Sequence, residues 1–163
     1  MRPLLFRLEA ERVHRLTLQM LAAAGALPPV RTLLRRSFSR PGFSMPVQVF
    51  GLQFANPVGL AAGYDKDGRA MHGLACLGFG HLELGTVTPL PQAGNPRPRI
   101  FRLPEDEALI NRMGFPNRGV EQLLTRLKRR PQGVVIGVNI GKGAAARLDA
   151  TAEDYQWLLR ALH

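Results

Sequence analysis

The residues with the clearest chemical potential lie in a glycine-rich stretch, NPVGLAAGYDKDG, at positions 56–68. The apolar run at 58–62 is short enough for a buried strand, and Gly63 ends it just before an Asp-Lys-Asp cluster. Small side chains let a ligand approach the backbone, and Lys66 offers that ligand a positive charge. The alternative is a strand, a turn and a solvated charge pair. The stretch alone leaves both interpretations open.

Polar residues also end two further apolar segments. Thr86 lies at the end of HLELGTVTP (81–89), and Asn139 lies near the end of GVVIGVNIG (133–141). These segments alternate with helical patterns, which predicts an α/β fold with a parallel sheet and right-handed crossovers. In (β/α) barrels the carboxyl ends of such strands carry the chemistry. Ordinary strand-end packing for Thr86, and an edge amide for Asn139, are the alternatives.

The remaining elements follow from turn and capping signals. The segment 47–54 predicts a small hairpin that turns at Phe50 and Gly51. Helices are expected at about 68–77 and at 117–130, and a long proline-rich excursion separates Pro89 from the second of them. A last helix is predicted to begin with a capping box formed by Thr151 and Asp154.

Composition restricts the class of protein. The 163 residues are 45% hydrophobic, which suffices for one domain with a real core. Cys76 is the one cysteine, so no internal disulfide is possible and a reducing compartment is expected. No run of 18 apolar residues exists, which excludes an ordinary transmembrane helix and favours a cytoplasmic protein. His72, His81 and His163 lack ligand spacing, so no metal site is predicted.

Positive charge is concentrated at the front of the chain. Residues 1–45 hold eight arginines against two glutamates, a net charge of +6 out of +10 for the whole chain. The arginines are Arg2, Arg7, Arg12, Arg15, Arg31, Arg35, Arg36 and Arg40. Such a front indicates an anionic partner, either phospholipid or nucleic acid. Nucleic acid ranks lower, because only 7% of the residues are aromatic and no stacking platform is visible.

Two helices are predicted within this basic front. Apolar residues recur at helical spacing from Glu9 to Ala24, with Gly25 placed to stop the helix. A second helix is expected to begin at Pro28 and to run to about Phe38. Apolar faces flanked by arginines suit a membrane interface. A helical hairpin packed on its own domain fits the same pattern, so both interpretations stay open.

Four motifs resemble a known family. NPVGLAAGYDKDG, LGFGHLELGTVTP, GNPRPRIFRLPEDEALINRMGF and GVNIGK are similar, in order and spacing, to the dihydroorotate dehydrogenases, and in detail to their membrane-associated, quinone-dependent class. The resemblance runs from about residue 8 to 155. It implies the N-terminal portion of a (β/α)8 TIM barrel preceded by a two-helix membrane-associating extension. The extension would comprise residues 1–45, and the first part of an FMN-binding barrel would comprise residues 46–163.

The resemblance also implies an activity. It is oxidation of dihydroorotate to orotate in pyrimidine (UMP) biosynthesis, with FMN as cofactor and a membrane quinone as acceptor. The expected location is peripheral, on an anionic lipid surface at the cytoplasmic face of the bacterial inner membrane, without a nucleic-acid partner. One alternative is a different FMN-dependent barrel dehydrogenase of the soluble class. The other is a non-catalytic fragment that binds a membrane or nucleic acid.

Site residues follow from the matched motifs. FMN contacts are expected at Ala62, Gly63, Tyr64, Asp65, Lys66, Thr86 and Asn139. Contacts with the pyrimidine are expected at Lys66, Asn111, Arg112, Met113, Gly114 and Phe115. His14 and Arg102 match positions that line a quinone tunnel. For Arg112 and His14, a packing arginine and a polar-face helix residue are the alternatives.

One expected group is missing from these 163 residues. In the quinone-dependent class a serine removes the C5 proton of dihydroorotate while hydride leaves C6 for the flavin. The resemblance places that serine beyond His163, so no catalytic residue is assigned to this chain. The chain is therefore expected to be the front part of a larger protein, incomplete at its C-terminus and inactive alone.

Overall fold

The computed structural model describes residues 6–38 and 45–163 and has an α/β arrangement. Its helices are α1 (Ala10–Ala26), α2 (Pro28–Phe38), α3 (Met71–Leu74), α4 (Val120–Leu127) and α5 (Thr151–Leu162). Its strands are β1 (Val47–Val49), β2 (Leu52–Phe54), β3 (Gly59–Leu60), β4 (His81–Val87), β5 (Ile100–Leu103), β6 (Ala108–Asn111) and β7 (Val135–Ile140). Arg2, Arg40 and most of the predicted joint at 40–46 lie outside the described residues.

Three of these strands form the parallel sheet that the sequence predicted. β3 pairs with β4 and β4 pairs with β7, both in parallel, so the strands lie side by side in chain order. The β1–β2 hairpin is also confirmed, and its turn places Phe50 and Gly51 at φ values of 53° and 75°. β3 is shorter than the predicted strand at 58–62, because the chain leaves the sheet after Leu60.

The proline-rich excursion contains a hairpin that the sequence did not predict. β5 and β6 pair antiparallel, with Ile100 opposite Asn111 and Leu103 opposite Ala108. The prolines lie before β5 and in the turn, where no ladder hydrogen bond is lost. The hairpin places Asn111 at the end of β6 and residues 112–115 directly after it.

Two predicted helix ends are wrong. Gly25 does not stop α1, which continues to Ala26. The glycine instead allows a close helix contact, because a Cβ at Gly25 would collide with the backbone nitrogen of Gly73 in α3. Thr151 and Asp154 form no capping box, since the Thr151 hydroxyl donates to Leu148 O and the Asp154 carboxylate accepts from Gly143 N, at 2.8 Å for each bond.

The interior consists of two hydrophobic clusters on the helix-covered face of the sheet. One joins Leu84 and Val87 of β4 to Leu123 of α4 and Leu158 of α5. The other joins Leu82 of β4 and Leu74 of α3 to Leu18 of α1, so α1 shares a core with the parallel sheet. The division at residue 45 therefore remains a prediction.

α2 differs from α1 in its burial. None of its side chains is fully buried, and Leu33 and Phe38 are 65% and 56% exposed. Two α1 side chains, Leu16 and Met20, are also exposed. No helix in the described ranges is long and apolar enough to cross a membrane.

Candidate functional site

The glycine-rich stretch forms an open turn at the carboxyl end of β3. Gly63 donates its N–H to Gly85 O of β4 at 2.8 Å, which fixes the turn against the neighbouring strand. Gly63 has a φ of 111°, and a Cβ built on it would meet no atom within 4 Å. Its Cα therefore faces free space, and a flat ligand has room to approach the backbone there.

Lys66 is folded back over this turn. Its ammonium donates to Gly63 O at 2.5 Å, and the side chain is half-buried. Burial lowers the pKa of Lys66 from its ordinary value, while the nearby Asp67 carboxylate opposes that shift. The ammonium is thus partly desolvated, which strengthens its attraction for negative charge that appears beside the turn.

Thr86 and Asn139 meet across β4 and β7. The Thr86 hydroxyl donates to Asn139 Oδ1 at 2.5 Å. The Asn139 amide donates to Glu83 Oε1 at 3.3 Å, and Glu83 Oε2 accepts from Ala62 N at 3.3 Å. A hydroxyl, a carboxamide and a carboxylate therefore join the turn after β3 to the ends of the two adjacent strands.

A register irregularity in β4 explains how Thr86 reaches this face. Regular pairing with β7 holds through Leu84 and resumes at Val87, with a shift between them. In a regular strand Thr86 would share a face with Leu84, which packs against the helices. A bulge re-aims a side chain to the opposite face, where Asn139 lies.

Tyr64 and Asp65 are occupied by contacts within the protein. Tyr64 O accepts a hydrogen bond from His14 Nε2 at 2.7 Å, and the Tyr64 hydroxyl donates to Thr17 Oγ1 at 3.0 Å. Asp65 is fully buried and accepts hydrogen bonds from the backbone N–H groups of Arg69 and Ala70, each at 2.7 Å. Burial raises the pKa of Asp65 from its ordinary value. Any contact of Asp65 with a ligand would therefore involve its backbone.

Residues 111–115, the predicted substrate loop, are attached to the same edge of the sheet. Gln92 Nε2 donates to Gly114 O and Phe115 O at 3.0 and 3.2 Å, while Gln92 Oε1 accepts from Ala144 N in the segment after β7. Asn117, beyond the loop, also holds Phe115 O at 2.8 Å. The loop thus lies near the ends of β4 and β7.

Individual loop residues differ in their freedom to bind. Asn111 is exposed, and its Oδ1 accepts a long bond from Met113 N at 3.4 Å. Gly114 and Phe115 adopt positive φ values of 67° and 51°. The Arg112 guanidinium donates to Pro98 O at 3.1 Å, which supports the packing interpretation for this side chain.

The two predicted quinone-site residues are bound to different partners. His14 Nε2 contacts Tyr64 O, and its ring lies edge-on to Tyr64 at 5.1 Å. Arg102 donates to Leu8 O at 2.7 Å and lies over the Phe6 ring, 4.7 Å from its centroid. His14 therefore connects α1 to the turn after β3, and Arg102 connects the start of the described chain to β5.

A buried ion pair attaches α1 to the connection between β4 and β5. Glu11 Oε1 accepts from Arg99 Nη2 at 2.6 Å and from Arg97 Nη2 at 2.7 Å, and Glu11 Oε2 accepts from Arg99 Nε at 3.1 Å. Glu11 and Arg99 are each 6% exposed. Hydrogen bonds from Arg99, opposed by burial and assisted by Arg97, lower the pKa of Glu11 to about 2.

Acid is expected to weaken the attachment of α1. Because the pKa of Glu11 is lower in the folded protein than its ordinary 4.5, the carboxylate stabilises the fold above about pH 4.5, and that contribution is lost as pH falls toward 2. Urea unfolding should therefore show a stability difference between wild type and Glu11→Gln that is large at neutral pH and shrinks in acid. A difference independent of pH would contradict this assignment.

Several of these residues gave little signal in the sequence. Glu83 is one charge inside an apolar strand, and Glu11 and Arg99 are 88 positions apart. Gln92 and Asn117 sit in a segment read only as an excursion and a helix start. The charge inside the apolar strand was the one available clue, because a carboxylate in a core strand requires polar partners.

Parallel strands that gather an ammonium, a hydroxyl and a carboxamide beside an open glycine turn define an α/β protein with a candidate ligand site at the carboxyl ends of its strands. The sequence model of the family described as Dihydroorotate dehydrogenase matches residues 44–163. The chain belongs to the dihydroorotate dehydrogenase family.

Individual relatives agree with this membership. The chain is 53% identical over 154 residues to the dihydroorotate dehydrogenase (quinone) of Stutzerimonas stutzeri, covering 94% of this chain and 43% of the relative. It is 52% identical over 159 residues to the protein of the same name from Burkholderia cenocepacia, covering 98% and 45%. The chain thus spans less than half the length of these curated relatives.

Solved structures give the same result for the fold. The crystal structure of DHODH in complex with ferulenol from Eimeria tenella matches with a TM-score of 0.76 at 36% identity, over 93% of this chain and 40% of that chain. The ligand-free structure from the same organism matches with a TM-score of 0.74 at 35% identity, over 93% and 42%.

Proposed function

We propose that this chain provides the FMN-facing and pyrimidine-facing part of a quinone-dependent dihydroorotate dehydrogenase. The activity is oxidation of dihydroorotate to orotate in pyrimidine biosynthesis, with electrons passing through FMN to a membrane quinone. The observation that carries the proposal is the convergence of Lys66, Thr86 and Asn139 beside the open Gly63 turn. The relatives named dihydroorotate dehydrogenase (quinone) support the choice of reaction.

The residues present fit a flavin. The space over Gly63 admits a planar ring, and the flanking ammonium, hydroxyl and carboxamide offer donors and acceptors to its polar edge. Ala62, Gly63, Tyr64 and Asp65 would contribute mainly through their backbone, and Lys66, Thr86 and Asn139 through their side chains. The chemistry that FMN supplies when bound is acceptance of a hydride equivalent and its release as electrons.

The chain's own residues would hold the reactants and balance their charge. Lys66, already partly desolvated, would face the negative charge that flavin reduction creates and the carbonyl edge of the pyrimidine. Asn111 would read the alternating C=O and N–H groups of that ring, since one amide offers both a donor and an acceptor. We assign no proton-abstracting base to this chain.

The front helices would supply the lipid and quinone side of the enzyme. Leu16, Met20, Leu33 and Phe38 present exposed apolar surface, and the arginines of α1 and α2 lie beside it. His14 would link this side to the cofactor turn through Tyr64. We propose that the protein is peripheral, on the cytoplasmic face of a bacterial inner membrane.

Anaerobic half-reactions test the proposal. In a protein of the relatives' length that carries these 163 residues, dihydroorotate should bleach the visible absorbance of bound FMN. Addition of decylubiquinone should then restore that absorbance. Reoxidation by fumarate or NAD in place of quinone would instead favour the soluble class. Lipid binding without any flavin would favour a non-catalytic membrane-binding protein.

A further inference from the structure

The ion pair between Glu11 and Arg99 does more than join α1 to the sheet. Arg99 uses Nε and Nη2 on the Glu11 carboxylate, and its remaining nitrogen, Nη1, donates to Ala93 O at 2.7 Å and to Asn95 O at 3.0 Å. A planar guanidinium held at both ends in this way has little rotational freedom. The orientation of α1 therefore fixes the position of the short segment 93–95.

That segment in turn holds the predicted substrate loop. Asn95 N donates to Met113 O at 3.0 Å, and Asn95 Nδ2 donates to Arg112 O at 2.8 Å. A Cβ on Gly114 would lie 2.8 Å from the Asn95 side chain, so the two segments pack without spare space. The backbone of Arg99 joins the same contact, because its carbonyl accepts from Arg112 N at 2.9 Å.

We propose that Glu11 is a positioning residue for the pyrimidine site, acting through Arg99 and Asn95 on residues 111–115. The inference rests on the proposed function, because it concerns the affinity of the same site for orotate and dihydroorotate. It adds a physical connection between a helix of the lipid-facing front and the loop that reads the pyrimidine. α1 contacts the cofactor turn separately, through His14 and Tyr64.

The cluster contains its own matched control. Arg97 also donates to Glu11, but its side chain is 56% exposed. The oxygen that it contacts, Glu11 Oε1, also accepts from Arg99 Nη2. Arg97→Gln removes one positive charge and one contact while the path from Glu11 to the loop stays intact. Asn95→Ala removes the side-chain bond to Arg112 O at the far end of the path and leaves the buried ion pair in place.

The experiment compares ligand affinities in a protein of the relatives' length that carries these residues. Glu11→Gln and Asn95→Ala should each raise the orotate Kd about tenfold, because a small displacement of binding groups is costly. The KM for dihydroorotate should rise while kcat changes little, and FMN affinity should stay at the wild-type value. Arg97→Gln should change the orotate Kd less than about twofold.

Each other outcome has a definite meaning. Wild-type orotate affinity in Asn95→Ala would overturn the positioning role. A parallel loss of FMN affinity and orotate affinity in both Glu11→Gln and Asn95→Ala would also overturn it, because that result would show general destabilisation. If Glu11→Gln fails to fold, Asn95→Ala alone decides. A wild-type protein that binds FMN but is not reduced by dihydroorotate would overturn the proposed function first, and the positioning role with it.

Discussion

Replacing Lys66 by alanine is expected to weaken orotate binding and to slow flavin reduction by dihydroorotate at least tenfold. The ammonium is half-buried over the Gly63 turn, and burial lowers its pKa, so its charge acts in a partly dry site. A tenfold loss corresponds to about 1.4 kcal/mol, which is modest for removal of a positioned charge from such a site. Stopped-flow reduction and orotate titration in a protein of the relatives' length would measure both effects.

Lys128→Ala serves as the matched control. Lys128 is an exposed residue at the end of α4, and its replacement removes the same charge from the surface. We expect wild-type kinetics and orotate affinity in this variant. If Lys66→Ala also kept wild-type reduction kinetics, the charges in the glycine-rich stretch would be an ordinary solvated charge pair, and the cofactor assignment would fail.

The second large effect is expected on lipid binding. Leu33 and Phe38 are 65% and 56% exposed on α2, and insertion into an interface would bury them. Partial burial of two such side chains is worth about 3 kcal/mol in total. The double variant Leu33→Gln, Phe38→Gln should therefore bind vesicles roughly a hundredfold more weakly. Glutamine keeps the helix propensity of α2 and leaves its charge unchanged.

Salt and a control leucine separate the contributions. Leu159 on α5 is 60% exposed, and Leu159→Gln should bind vesicles of phosphatidylcholine and phosphatidylglycerol like wild type. High salt should weaken wild-type binding without abolishing it. Salt screens the attraction of Arg35 and Arg36 for anionic lipid, whereas it does not screen the apolar contacts. Equal vesicle binding by the double variant and wild type would show that the front helices are only scaffold.

The sequence predicted the parts of the fold that depend on local pattern. Apolar segments that alternate with helical patterns identified β4 and β7, and apolar residues on both sides of a turn at Phe50 and Gly51 identified the first hairpin. The β5–β6 hairpin was missed, because its prolines gave a strong loop signal and its strands are only four residues long. Pairing between two short strands is decided by tertiary context more than by propensity.

In the candidate site, too, the sequence predicted what depends on local pattern and missed what depends on tertiary structure. Lys66, Thr86 and Asn139 were predicted because each lies near or just after the end of an apolar segment, and the structure brings Thr86 and Asn139 into direct contact. The shift in β4 that turns Thr86 toward Asn139 was invisible in the sequence. The roles of these residues toward FMN, pyrimidine and quinone remain predictions until ligands are bound.

The close contact of Gly25 with Gly73 has a practical consequence for protein engineering. A helix packed this tightly, with Leu18 in a shared core, cannot be trimmed away as a detachable anchor, because deletion would expose Leu74 and the sheet beneath it. A variant with weaker lipid binding, for use in crystallisation, would be designed by replacing exposed apolar side chains such as Met20 with polar ones. Enlarging either glycine would force α1 and α3 apart, because a Cβ at Gly73 would likewise collide with the Leu21 carbonyl oxygen of α1.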